Sequence, residues 1–135
     1  MLIEWKEEYS VNVKEIDNQH KKLVEIINSL YSVINNIDID DKKLVVLFAD
    51  LISYADLHFN TEEGYFDKFG YPESKHHKDA HKLFRKKIFS LITQYKKKKI
   101  EATFELVDFL EDWFLGHLAI EDKKYSKFFN DHGLF

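Results

Sequence analysis

The chain has 135 residues, enough for one proper hydrophobic core, and reads as a single domain over 1–135. Hydrophobic residues make up 44% and charged residues 33%, and the net charge of −4 excludes the basic surface that a nucleic-acid partner needs. With no cysteine, disulfides, zinc ribbons, iron–sulfur clusters and thiol catalysis are excluded too.

One proline and four glycines leave little to break helices, and 16% aromatic residues imply a bulky core with little room for water. Residues 1–13 show no helical period and read as an extended arm. This acidic start lacks a signal peptide and no apolar run reaches membrane-spanning length, so no membrane insertion and a cytoplasmic location are expected. The first helix is expected over about 14–37, with Ile16, Leu23, Val24, Ile27, Leu30, Tyr31 and Ile34 on one face. After a short acidic loop, Asp40 suits the N-cap of a second helix over about 41–69. Leu44, Leu47, Phe48, Leu51, Tyr65, Phe66 and Phe69 face inward there.

Gly70-Tyr71-Pro72 is the clearest break, with glycine past one helix end and proline opening the next. The third helix, about 73–98, carries Phe84, Ile88, Leu91, Ile92 and Tyr95 in register. It closes on Lys96-Lys97-Lys98-Lys99, charge that suits the negative end of a helix dipole. The fourth, about 101–119, carries Phe104, Val107, Leu110, Trp113 and Phe114, and a C-terminal stub follows over about 125–132. Short connections between long amphipathic helices make antiparallel neighbours. The expected class is all-α, an up-down-up-down four-helix bundle with an extended N-terminal arm and a short C-terminal helix.

Seven histidines are present. His20 keeps step with Ile16, Leu23 and Ile27; His58 with Leu51 and Tyr65; His77 and His81 with Phe84 and Ile88; His117 with Leu110 and Phe114. Five imidazoles therefore sit on the apolar faces of four helices. Any one alone is ordinarily a core histidine with a local partner. In an up-and-down bundle, however, the starts of helices one and three lie beside the ends of helices two and four. A rise of about 1.5 Å per residue then puts all five in a slab roughly 10 Å thick. Independent core histidines have no reason to share a level, whereas a metal site requires it.

Carboxylates complete the set. His58 and Glu62 are four apart, as are His77 and His81, so each pair shares a helical face. Beyond His117 stand Glu121 and Asp122, and helical spacing favours Glu121, because a five-residue step turns about 140° off the face. Of the other neighbours, His76 and Glu63 fall off these spacings, and His132 reads as a surface residue. Five nitrogen donors and two carboxylates are too many for one tetrahedral zinc and suit two octahedral ions bridged by both carboxylates. Donors without thiolate are compatible with iron, although affinity order does not choose it.

With these residues in view, the sequence resembles a hemerythrin of the single-domain bacterial kind, over nearly its whole length. The resemblance is carried by Trp5, Tyr9-Ser10-Val11, Ile16-Asp17 with Gln19-His20, and His58-Phe59 with Glu62-Glu63. It continues through Gly70-Tyr71-Pro72, His77 with His81 and Phe84, and Trp113 with His117 and Asp122. It implies two non-haem irons, one held by His77, His81 and His117, the other by His20 and His58. Glu62 and Asp122 bridge them with an oxo or hydroxo group, which requires the helix to distort between His117 and Asp122. Six positions are then filled on the first iron and five on the second.

The implied function is reversible dioxygen binding, for carriage, storage or scavenging, without catalysis. Phe59, Trp113, Phe114 and Leu118 are the expected ligand pocket. Asn12 stands where many relatives have glycine, in a turn that asparagine tolerates. Phe114 stands where they often have leucine, a larger ring beside the open place. A transient partner such as a membrane oxidase suits this class but does not follow from the residues. The alternatives are an oxygen or redox sensor acting through a partner and a di-iron enzyme handling peroxide or nitric oxide. Ferritin-like oxidases repeat Glu-x-x-His on two helices, and only Glu73 to His76 has that form here.

Overall fold

The computed structural model describes residues 1–95, Lys97 and residues 99–135. Four helices form the bundle: α1 (Lys14–Ile34), α2 (Asp41–Phe69), α3 (Ser74–Tyr95) and α4 (Lys99–Trp113). A π-helical segment (Phe114–Glu121) and a 3-10 turn (Asp122–Tyr125) carry α4 on into the short α5 (Ser126–Asp131). Among the described residues there is no strand. Around the bundle α1 packs on α2 and α4, and α3 on α2 and α4. This is the expected all-α four-helix bundle.

The helix ends have local causes. Asp40 accepts a hydrogen bond from the Lys43 amide and caps α2. Gly70 closes α2 in the left-handed conformation at φ +70°, and the amides of Gly70 and Tyr71 both return to the Phe66 carbonyl. Asn12 also has positive φ, at 57°. It is held there by exchange of hydrogen bonds with Asn130.

Several expectations are corrected. α1 stops at Ile34 rather than 37, because the Asn35 side chain donates to the Tyr31 carbonyl and Ile37 has nothing to pack against. α3 begins at Ser74 rather than 73, since the Ser74 amide closes a turn on Tyr71. Its expected end at 98, with Lys96 and Lys98 of the lysine run, lies outside the described residues. α4 begins at Lys99 rather than 101, and helical winding passes 119 in altered form. Tyr31 and Phe104 are exposed, not core-facing. The buried face of α4 is Ala102, Thr103, Leu106, Val107 and Leu110, and Phe104 lies about 100° round the helix from Thr103.

The N-terminal arm is docked. Its Leu2 and Ile3 amides donate to Asn28 Oδ1 at 3.0 and 2.9 Å, and Asn28 Nδ2 donates to the Ile3 carbonyl at 2.8 Å. Farther along, Asp17 receives the Ser10 hydroxyl and the Val11 amide. Asn28→Ala removes three bonds at once and should cost about 2 kcal/mol. Urea unfolding measures this, and an unchanged midpoint would mean that the arm is held by its apolar contacts alone.

The core is divided. The main cluster includes Leu23, Ile27, Leu30, Leu51, Phe59, Phe84, Leu110 and Phe114. A second, at the end near the C-terminus, consists of Val11, Val13, Ile16, Phe66, Tyr71, Tyr125 and Phe129. His20 falls between Ile16 and Leu23, and Glu62 between Phe59 and Phe66, so a polar layer separates two apolar ones.

Candidate metal centre

Seven polar side chains make up that layer: His20, His58, Glu62, His77, His81, His117 and Asp122, all buried and both carboxylates fully so. They come from α1, α2, α3 and the continuation of α4. Their donor atoms fall into two groups, His77 with His81 and His117, and His20 with His58, Glu62 and Asp122; within each group the atoms lie within 4.8 Å of one another.

The carboxylates span the two sets of imidazoles. Asp122 Oδ1 lies 2.5 Å from His77 Nε2 and 3.0 Å from His117 Nε2, while its Oδ2 lies 3.1 Å from His20 Nε2. Glu62 Oε1 is 3.1 Å from both His58 Nε2 and His81 Nε2. His20 and His58 bring their Nε2 atoms to 3.2 Å of each other.

Hydrogen bonding behind two of the rings orients them. His58 Nδ1–H donates to Gln19 Oε1 at 2.8 Å, and Gln19 Nε2 donates in turn to Thr61 Oγ1. His81 Nδ1–H donates to Glu63 Oε2 at 3.0 Å. A ring that donates from Nδ1 presents the Nε2 lone pair, the arrangement a metal-ligating imidazole uses.

Inside the layer, both Glu62 oxygens, Asp122 Oδ2, His81 Nε2 and His117 Nε2 have no aligned hydrogen-bond partner among the described residues. Buried polar atoms without partners are rare, and two buried carboxylates need compensating positive charge. The donor set therefore fits divalent metal.

The electrostatics point the same way. Burial lowers the His58 pKa, but Glu62 and Asp122 outweigh it and push it up to about 9. Burial and the neighbouring Asp122 charge raise the Glu62 pKa, yet His58 and His81 hold it far below the usual carboxylate range. Asp122 is likewise held well below, against burial, by His117, His20 and His58. Burial lowers the pKa of His20, whereas carboxylate contacts raise that of His77.

The backbone sets Glu121 and Asp122 apart. Phe114–Glu121 winds as a π-helix, and the Asp122 amide bonds to the His117 carbonyl five residues back. The wider turn swings Asp122 inward and leaves Glu121 at the surface, where Lys124 pairs with it at 3.1 Å.

Two of the expected pocket residues border this layer. Phe59 stacks on His81 and Trp113 on His117, each with centroids 3.9 Å apart. Phe114 is buried edge-on to Tyr9 and Trp5 of the arm, and Leu118 is buried. Sequence spacing set Glu63 aside as off-register for the metal, and it instead backs His81. It likewise missed Gln19 as the support of His58; the signals available were adjacency to Glu62 and to His20. His76 and His132 are on the surface.

The profile of the hemerythrin HHE cation-binding domain matches residues 11–129. The chain belongs to the hemerythrin family. It is 34% identical over 124 residues to the bacteriohemerythrin of Clostridium acetobutylicum, across 90% of this chain and 96% of that one. It is 30% identical to the bacteriohemerythrin of Campylobacter jejuni, across 90% and 91% of the two chains, and 27% identical to that of Pseudomonas aeruginosa, across 90% and 77%. Hemerythrin membership and the buried donor set agree on a metal-binding centre.

Within this hemerythrin, the supports behind His58 and His81 are testable. Gln19→Ala and Glu63→Ala should each weaken metal binding about 10- to 100-fold with the helical content unchanged. Competition against a chelator of known affinity measures it, and wild-type affinity in both variants would deny these bonds an orienting role.

Proposed function

We propose that this protein binds dioxygen reversibly at two non-haem irons, as a carrier, store or scavenger rather than an enzyme. The observation that carries this reading is the asymmetry of the donor sets, three imidazoles against two, with both carboxylates within reach of each. On this reading His77, His81 and His117 hold one iron, His20 and His58 the other, and Glu62 and Asp122 bridge them with a solvent-derived oxo or hydroxo group. With those donors the first iron would be saturated and the second would keep one place for a small ligand. When bound, the iron pair supplies the electrons that make dioxygen binding favourable and reversible.

The surrounding residues keep that chemistry from running on. Phe59 and Trp113 cover the three-histidine side face-on, and Phe114 and Leu118 add buried apolar bulk. Excluding water and reductants from such a site prevents hydrolytic and reductive side reactions. Gln19 and Glu63 fix the ring orientations, so little rearrangement is required when ligand enters or leaves. Among the described residues no helix is long and apolar enough to cross a membrane. We read 1–135 as one domain that acts in the cytoplasm, with dioxygen as its partner.

The reduced, iron-loaded protein tests this. It should contain about two irons per chain, gain a visible charge-transfer band in air and lose it on degassing, through repeated cycles. Bleaching with turnover of a reductant would assign it to enzymes instead, and failure to hold iron would end the reading.

A further inference from the structure

Tyr54 stands one turn before His58 on α2, buried and in parallel contact with it: the ring centroids are 5.3 Å apart and the planes 14° from parallel. Side chains four apart leave the same face of a helix. A phenol is longer than an imidazole. The Tyr54 hydroxyl therefore reaches at least as far from α2 as the His58 ring beside it.

The hydroxyl itself is buried and has no hydrogen-bond partner among the described residues. A second such hydroxyl, on Tyr125, lies on the other side: its ring packs on His77, of the three-imidazole set. Tyr54 thus places an unpartnered hydroxyl beside His58 of the two-imidazole set, the side on which the reading above leaves a place for ligand. A phenol at neutral pH is protonated and donates.

We propose that the Tyr54 hydroxyl donates a hydrogen bond to the small ligand held at the two-histidine metal, and so favours ligands that accept one. This rests on the oxygen-binding reading above. The bond retains the ligand and slows its departure, and it gives an otherwise apolar pocket a polar point of discrimination.

Tyr54→Phe keeps the ring and its stack on His58 and removes only the oxygen. The probe is azide, an anion that accepts hydrogen bonds, added to the oxidised, iron-loaded protein. Iron content should match wild type, azide affinity should fall about tenfold, and the infrared stretch of bound azide should shift. Dioxygen should leave the reduced variant faster by a similar factor. Equal azide affinity and an unmoved stretch in a variant with full iron content would overturn the assignment of Tyr54 alone. If the iron-loaded wild type takes up neither azide nor dioxygen, the oxygen-binding reading falls and the role of Tyr54 with it.

Discussion

Asp122→Ala should lose the metal centre, while Glu121→Ala keeps it. Asp122 reaches His77 and His117 through one oxygen and His20 through the other, so on the proposed two-iron reading its loss removes a donor common to both metal positions. Removing an orienting partner costs 10- to 100-fold in affinity, and a donor shared by two ions should cost more than about 100-fold. On that reading iron should fall from about two per chain to a small fraction of one after dialysis against a weak chelator. Glu121 is paired with Lys124 at the surface, and its removal should change metal affinity by less than about twofold. Asp122→Asn, which keeps the shape and removes the charge, should fall between the two. Iron retained in Asp122→Ala and lost in Glu121→Ala would place the π-helical register one residue out.

Removing the metal should lower stability by about 4 kcal/mol when free metal stands near a thousand times its dissociation constant, a shift on the order of 10 °C or more in melting temperature. The pH dependence should also change form. In the metal-free protein Glu62 and Asp122 have lowered pKa values. Their stabilisation is present above the ordinary carboxylate value of about 4 and is lost as pH falls toward the folded values. His58 is raised to about 9, so its stabilisation is complete below about 6.5 and is lost as pH rises through 9.

The metal-free protein should therefore be most stable between about pH 5 and 6.5, and should lose roughly 5 °C by pH 9. With metal bound the alkaline loss disappears, because metal takes the place of the proton and protons compete only at low pH. Thermal melts with and without chelator across this range measure both effects. A metal-free melting temperature that is flat from pH 6 to 9 would show that His58 is not charged by its carboxylate neighbours.

Much of this protein is legible in one dimension because helices repeat. The stripe through Ile16, Leu23 and Ile27 places His20 in the core, and the four-residue steps from His58 to Glu62 and from His77 to His81 put each pair on one face. The same periodicity misjudged Tyr31 and Phe104. Each lies at the margin of its stripe, where a partner helix, not the helix itself, decides what is covered. Glu63 shows a different limit: it stands off the face of Glu62 and acts through His81 of another helix.

By itself, then, the sequence determined that four helices form, that five imidazoles and Glu62 share one level, and that no thiol or basic surface takes part. These follow from rise, turn and composition, which are local. Only the tertiary structure decided that the donors divide three against two, that Gln19 and Glu63 stand behind the rings, and that the Tyr54 hydroxyl has no hydrogen-bond partner among the described residues. Those are distances between helices, fixed by how bulky side chains pack. It also turned Asp122 inward and left Glu121 beside Lys124, because a π-helical turn changes the angular step per residue. An α-helical count cannot anticipate that change.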